Sequence, residues 1–264
     1  MQIGFIGGGN MAEALIKGMT AQGMKDIIVS EPQQERRKYL HHTYGTDTTG
    51  NNRDVVDASE IIILAVKPQN MDAVVTEISP SVSSDKTVVS IAAGIKLDYL
   101  ASKLNTKKII RVMPNTPALV QEGMSVMSLC ECFSDNAISV VREILMSIGK
   151  VITLPEKYMD AVTAVSGSGP AFIAIFVEAM INSAIKLGLS EDDARTLAVQ
   201  TAIGTAKLLD TGMSPSKLKE MVTSPGGTTA AGLEAFHDKG LFDTVLAAIT
   251  AARDRSVDLG QKSE

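Results

Sequence analysis

A change of hydrophobic period near residue 155 divides this sequence into two kinds of chain. Before it, short apolar, β-branched runs alternate with amphipathic stretches. Strands are predicted over residues 2–6, 26–30, 61–66, 87–91, 109–113, 125–129 and 151–154. Between the first two, Met11, Leu15, Gly18 and Met19 recur at i, i+4, i+7 and i+8, one apolar face of a helix, with Gly23 as its expected stop. Alternating strand and helix calls for a mostly parallel sheet with helices on both faces. From about Tyr158 onward no run alternates as a strand does. Helices are predicted there over 171–187, 191–211, 216–223, 228–238 and 241–259, separated by short Gly, Ser or Pro breaks. Ser190 ahead of Glu191, Asp192 and Asp193 is a strong helix start, since a cap oxygen and an acidic first turn suit the exposed amides. A boundary within 154–158 gives an α/β domain over residues 1–155 and an all-α domain over 156–264. Roughly 100–200 residues per domain makes two domains reasonable.

The first glycine cluster gives the α/β domain a chemistry. Gly7-Gly8-Gly9-Asn10-Met11-Ala12 fits G-x-G-x-x-A directly after a strand and directly before a helix. Gly7 permits the tight turn, Gly9 lets backbone approach a pyrophosphate with no Cβ in the way, and Ala12 allows close helix–strand contact. The helix N-terminus offers unpaired amides and a partial positive charge to the anion. The expected fold is therefore a doubly wound Rossmann domain that binds a dinucleotide, followed by the helical domain.

Further candidates sit at strand ends. The second strand closes on Ser30-Glu31-Pro32, where an adenosine ribose should lie, and an acidic residue there suits the 2′-hydroxyl of NAD. Arg36 and Arg37 come within reach of a 2′-phosphate if they fold back, although a solvated helix face is the preferred expectation for them. Glu31 thus argues for NADH, while the arginines permit NADPH. Ala65-Val66-Lys67-Pro68 closes the next clear strand over the cofactor cleft, with Lys67 facing either the cofactor or solvent. The segments 90–94 and Met113-Pro114-Asn115-Thr116-Pro117 also lie at strand ends, but taken singly they read as loop chemistry.

Composition excludes several classes of function. Net charge is −5 with no run of five like charges, so neither nucleic acid nor a membrane surface is expected as a partner. Residues 1–6 read as a strand rather than a signal peptide, which fits a cytoplasmic location. The longest apolar run, 171–181, is broken by Glu178 and falls short of the roughly 18–20 residues of a membrane span. It is apolar nearly all round, so it must be covered on most faces. A helical domain of about 105 residues has little core to do so. A subunit interface is expected, with a central helix inside one domain as the alternative. Cys130 and Cys132 lack the spacing of a redox pair, would share one face of a strand, and read as inert thiols. His41, His42 and His237 have no neighbouring ligand cluster, so no metal is expected.

Two segments of the later half read as anion cradles. Ser166-Gly167-Ser168-Gly169-Pro170 and Ser224-Pro225-Gly226-Gly227-Thr228-Thr229 each precede a helix and offer amides, hydroxyls and a positive helix end to a small carboxylate. Pro215, Leu218, the run 222–233 and Phe236 resemble the signature of pyrroline-5-carboxylate reductases. Gly7 to Ala12, Ala65 to Pro68, Met113 to Pro117 and Asp160-Ala161-Val162 with Ser166 to Pro170 are similar to that family in order and spacing, across nearly the whole chain. His237 departs from the usual polar amide, acid or lysine of that signature, and Glu31 from the small hydroxyl residue often found near a 2′-phosphate.

The resemblance implies reduction of 1-pyrroline-5-carboxylate to L-proline by NADPH or NADH, in a homodimer with interleaved helices, active sites at the dimer interface and assembly of dimers into a larger ring. It implies cofactor contacts at Ile6, Gly7, Gly8, Gly9, Asn10, Met11, Asn52, Val66, Lys67, Ile91, Ala92 and Ala93, joined by Glu31, Ala65 and Pro68 from the strand ends. Substrate contacts would fall at Glu156, Thr228 and Thr229, with Ser224, Gly226 and Gly227 and the loop Ser166, Gly167, Ser168 and Gly169 nearby. Thr229 is the candidate catalytic hydroxyl, hydrogen-bonded to the ring nitrogen, with a purely structural bond at the helix start as the alternative. A β-hydroxyacid dehydrogenase shares the two-part plan, but Ile173 stands where such enzymes resemble G-x-G-x-x-x-K and carry a catalytic lysine. A dinucleotide-sensing protein without turnover is the rival of a different class.

Overall fold

The computed structural model describes residues 1–130 and 136–261. In chain order the elements of the first part are β1 (Ile3–Ile6), α1 (Asn10–Ala21), β2 (Ile27–Ser30), α2 (Gln34–Tyr44), β3 (Asp47–Thr49), α3 (Asn52–Ala58), β4 (Ile61–Leu64), α4 (Met71–Ile78), β5 (Thr87–Ser90), α5 (Leu97–Lys103), β6 (Ile109–Met113), β7 (Gly123–Leu129), α6 (Asn136–Met146) and β8 (Gly149–Thr153). The strands form one sheet in the order β3-β2-β1-β4-β5-β6-β7-β8, parallel except for the β6–β7 pair. Its first six strands have the 3-2-1-4-5-6 order of a Rossmann sheet. Alternate residues feed two cores. Ile61 and Ile63 of β4 pack with α1 and α6, whereas Ile62 and Leu64 pack with α3, α4 and α5. All four residues of β4 are buried, as a central parallel strand covered on both faces requires.

Three expectations about the strands need correction. β3 was not predicted: Asp-Thr-Thr is short and polar, and as an edge strand it needs no apolar face. β7 and β8 each begin two residues earlier than their β-branched runs, at Gly123 and Gly149. Gly149 has φ +143°, and a Cβ there would lie 1.9 Å from the Gly123 carbonyl oxygen, so only glycine lets these strands meet at their start. Cys130 lies just beyond β7, so the expected same-face strand placement does not hold for it, and Cys132 lies outside the described residues.

The later elements are α7 (Met159–Val162), a π turn over Thr163–Gly167, α8 (Gly169–Lys186), α9 (Glu191–Asp210), α10 (Pro215–Val222), α11 (Thr228–Asp238) and α12 (Leu241–Gln261). The Ser190 hydroxyl caps α9 by accepting from the Asp193 amide. The chain forms two compact units, Met1–Ser168 with Ala251–Glu264, and Gly169–Thr250. In the second unit, α8 and α9 pack together and Phe176 meets Phe236 of α11 at 6.1 Å between ring centroids. α8 has no buried residue, with Ile173 63% and Ile175 64% exposed in the single chain.

The helical run Glu156–Lys186 has 31 residues and a mean hydropathy that reaches 1.6, long and apolar enough to cross a membrane by length and composition. This corrects the expectation that the apolar stretch is too short. One interrupting charge, Glu178, does not lower the average enough.

Candidate active site

Strand register sets the site. Ile6 lies level with Ser30 and with Leu64, and Leu64 with Ser90. The next residue of each strand, Gly7, Glu31, Ala65 and Ile91, therefore leaves the sheet in one row at its carboxyl end. Main-chain hydrogen bonds continue the row: Gly7 N to Ser30 O at 2.9 Å, Ala65 N to Ile6 O at 2.8 Å and Ile91 N to Leu64 O at 3.2 Å. The strand order reverses between β1 and β4, the crevice where open α/β sheets bind ligands.

The glycine turn fits a pyrophosphate. Gly7 has φ +98°, and a Cβ on it would lie 2.7 Å from the Ala65 carbonyl oxygen. Gly9 is the N-cap of α1, no side chain caps this helix, and a Cβ on Gly9 would meet nothing within 4 Å. Helix amides from Asn10 and Met11 onward thus open onto free space, as an anion needs. Ala12 is fully buried at the helix–strand contact. Glu31 joins the turn, accepting from Gly8 N and Gln33 N, each at 3.0 Å. Asn52 stands behind it, accepting from the Ser30 hydroxyl at 2.7 Å and donating to Glu77 at 2.8 Å. Val66 is half-buried, and Lys67 and Pro68 are exposed beyond β4, where the chain enters a short 3₁₀ turn. A cavity of about 970 Å³ adjoins this row, lined by Pro68, Ala93, Ile95, Lys96, Tyr99 and Gly260, whereas the glycine turn lies outside it.

Arg36 and Arg37 are not the solvated pair expected. Arg36 Nε donates to Gly8 O at 2.7 Å and Nη2 to Glu13 at 2.6 Å, while its guanidinium lies 5.1 Å from the Tyr39 ring centroid. Arg37 Nη1 donates to the main-chain oxygens of Glu31 and Pro32 at 2.6 and 2.9 Å. Glu13 was missed by sequence reasoning. Besides Arg36 it accepts from the Tyr39 and Tyr44 hydroxyls, both at 2.8 Å. Burial pushes its carboxyl up, but those hydrogen bonds and the Arg36 charge outweigh it, leaving Glu13 below its ordinary 4.5. A carboxylate lowered by folding stabilises the fold above pH 4.5 and loses that contribution as pH falls through the folded value. Glu13→Gln is therefore expected to melt below the unsubstituted protein at neutral pH, with the gap closing in acid. Melts between about pH 3 and 7 check this, and a constant gap contradicts it.

The candidate substrate residues fall in both units. Glu156 Oε1 accepts from Arg111 Nη1 at 2.9 Å and from Leu97 N at 2.8 Å. Asp160 accepts from Ser256 Oγ at 2.7 Å. Ser166 and Gly167 belong to a π turn that Ser168, the residue after it, closes through Ser168 N to Thr163 O at 2.8 Å. Asn115, which sequence reasoning left as loop chemistry, holds that turn by donating to Ser166 O at 3.1 Å and accepting from Met124 N at 2.8 Å. In the second unit Gly169 opens α8. There Gly227 N donates to Ser224 O at 3.0 Å, Gly226 has φ +67°, and Gly227 is the uncapped start of α11. Thr228 is exposed and Thr229 half-buried at the first two helical positions. Within the described residues no structural hydrogen bond of the Thr229 hydroxyl is found.

Comparison with known proteins adds the family. Residues 156–259 match the model for pyrroline-5-carboxylate reductase dimerisation, and residues 2–94 the model for NADP oxidoreductase, coenzyme F420-dependent. The pyrroline-5-carboxylate reductase of Synechocystis sp. is 39% identical over 99% of both chains. The chain belongs to the pyrroline-5-carboxylate reductase family. The solved pyrroline-5-carboxylate reductase of Coxiella burnetii superposes with a TM-score of 0.92 at 32% identity, covering 98% of each chain. That of Plasmodium falciparum, solved with NADP bound, gives 0.88 at 30% identity, again over 98% of each. The dimerisation match spans α8 and supports homo-oligomerisation.

Proposed function

We propose that this chain reduces 1-pyrroline-5-carboxylate to L-proline with NAD(P)H, the last step of proline biosynthesis. The observation that carries this is full-length similarity to pyrroline-5-carboxylate reductases, joined to a glycine turn whose geometry admits a pyrophosphate. A dihydronicotinamide held by this turn would supply hydride to the imine carbon, while the imine nitrogen would gain a proton. The chain's own task is mostly placement, because the imine carbon is already electrophilic. Residues Ile6 to Met11, Glu31, Asn52, Ala65 to Pro68 and Ile91 to Ala93 hold the dinucleotide. Amides of the Ser166–Gly169 and Ser224–Thr228 segments hold the substrate carboxylate, since a positive helix end favours an anion. Glu156 borders the substrate through Oε2, its other oxygen being engaged by Arg111 and Leu97 N.

The Thr229 hydroxyl hydrogen-bonds the ring nitrogen and relays a proton from water, since an unperturbed hydroxyl is itself a poor acid. Thr229→Ala is expected to lower kcat about tenfold to a hundredfold with cofactor affinity unchanged, and Thr229→Ser to restore much of it. Oxidation of NADH and NADPH with the cyclic imine measures this, and unchanged turnover in Thr229→Ala refutes the role. Functionally, residues 1–155 serve the cofactor and 156–264 serve dimerisation and substrate. Homodimers gather into a larger ring in the cytoplasm, with neither nucleic acid nor membrane as partner. The dimerisation match over residues 156–259 favours a second copy rather than lipid as the cover for α8.

A further inference from the structure

Glu31 and the two arginines after it bear on which dinucleotide the turn accepts. Glu31 sits at the carboxyl end of β2, half-buried, and both of its oxygens are fixed by main-chain amides, Gly8 N and Gln33 N at 3.0 Å. A carboxylate oxygen accepts about two hydrogen bonds, so each retains a lone pair for a ribose hydroxyl. The carboxylate cannot swing away from an incoming group without giving up the Gly8 amide, which belongs to the phosphate-binding turn itself.

A 2′-phosphate brings a charge of about −2 and needs guanidinium or ammonium donors free to meet it. Both cations here already make bonds within the turn. Arg36 spends its Nε–Nη2 edge, one of the two that can fork onto a phosphate, on Gly8 O and Glu13. Arg37 is tethered through Nη1 to two carbonyl oxygens and packs against Gly50, its Nη1 lying 3.5 Å from where a Gly50 Cβ would be. The four charged groups Glu13, Glu31, Arg36 and Arg37 sum to zero. A phosphate at this strand end would therefore meet a fixed carboxylate and no surplus positive charge, a like-charge approach that costs affinity.

We propose that Glu31, held by Gly8 N and Gln33 N, makes this chain prefer NADH over NADPH by hydrogen-bonding the adenosine ribose and repelling a 2′-phosphate. Glu13 acts at one remove: by occupying Arg36 it keeps that guanidinium from answering the phosphate. Selection works on both sides, with an attractive contact for one dinucleotide and a repulsive one for the other. The proposal rests on the dinucleotide-binding reductase function argued above and concerns only the choice between two forms of its cofactor.

The test is equilibrium titration of the whole protein with NADH and with NADPH in the absence of imine, followed by nucleotide fluorescence, alongside turnover with each. The unsubstituted protein is expected to bind NADH about tenfold or more tighter than NADPH. Glu31→Ser should reverse or erase that ratio, chiefly by tightening NADPH. Glu31→Gln keeps the shape and an acceptor while removing the charge, and should narrow the ratio without a large fall in Tm. Equal affinities in the unsubstituted protein, tighter NADPH binding, or a ratio unmoved in both variants overturns the proposal. Binding of neither dinucleotide sinks the reductase function together with it. An NADH preference that Glu31→Gln narrows, in a protein that fails to turn over the imine, sinks the assigned function while supporting the role of Glu31.

Discussion

Gly7→Ala is expected to weaken dinucleotide binding by about a hundredfold or more and to lower Tm, whereas Gly9→Ala weakens binding with little change in Tm. The two glycines stand two residues apart, but their surroundings differ. At Gly7, φ is +98° and a Cβ would lie 2.7 Å from the Ala65 carbonyl oxygen and 3.0 Å from its carbon. Positive φ alone costs an L-residue about 1–2 kcal/mol. The obstructing atoms are backbone at the end of β4, so relief requires shifting the strand end that lines the cofactor. About 3 kcal/mol of combined strain and displacement corresponds to roughly a hundredfold in affinity. At Gly9, φ is −70° and the space beyond is empty, so alanine fits the folded chain at no steric cost apart from a poorer N-cap. Its methyl group then occupies the place assigned to the pyrophosphate. Fluorescence titration with NADH and thermal melts separate the effects. Gly9→Ala binding as tightly as the unsubstituted protein would show that the phosphates lie elsewhere.

How far this arrangement can be read in the sequence depends on how local its parts are. The glycine turn is legible because strand, turn and helix are contiguous and each glycine has its own steric reason. Glu31 is legible because the second strand of such a sheet ends where the ribose must lie. The Glu13 cluster is not, since its partners Tyr39, Tyr44 and Arg36 are 26, 31 and 23 residues away and an acidic residue on the first turn of a helix looks solvated. The arginines were misjudged for the same reason: a one-dimensional pattern shows the helix face but not the carbonyls and carboxylate it folds onto. Asn115 lay in a segment already noticed, yet its value comes from a hydrogen bond across 51 residues to Ser166 O. β3 carried no apolar signal because its three residues form a sheet edge. The uncovered α8 was anticipated, because a helix apolar on nearly every face needs more cover than a small helical domain supplies.

Loss of the Glu156 side chain is expected to have the largest effect on stability. Arg111 lies in the buried middle of β6 with its side chain 5% exposed, and the ion pair recorded for it is with Glu156 at 2.9 Å. The same Glu156 oxygen takes the Leu97 amide, so one carboxylate ties β6, the start of α5 and the helical run that leads to the π turn. Glu156→Ala strands a guanidinium that cannot reach water, and breaking a buried pair from one side costs about 3–5 kcal/mol. For a chain of this size that corresponds to a fall in Tm on the order of 10 °C. The opposite truncation leaves a carboxylate that is 28% exposed and still bonded to Leu97 N, so Arg111→Met should cost less. Glu156→Gln retains an acceptor for both donors and should lose less than half of what alanine loses. Because the anchored run carries Ser166 to Ser168, kcat/KM for the imine should fall in Glu156→Ala even where the protein is still folded. Melting curves of the three variants, with KM for the imine measured well below each Tm, separate anchoring from substrate contact. Equal melting of Glu156→Ala and the unsubstituted protein would remove the anchoring role. A KM raised in Glu156→Gln beyond what its small loss of Tm explains would mark the substrate contact assigned to Oε2.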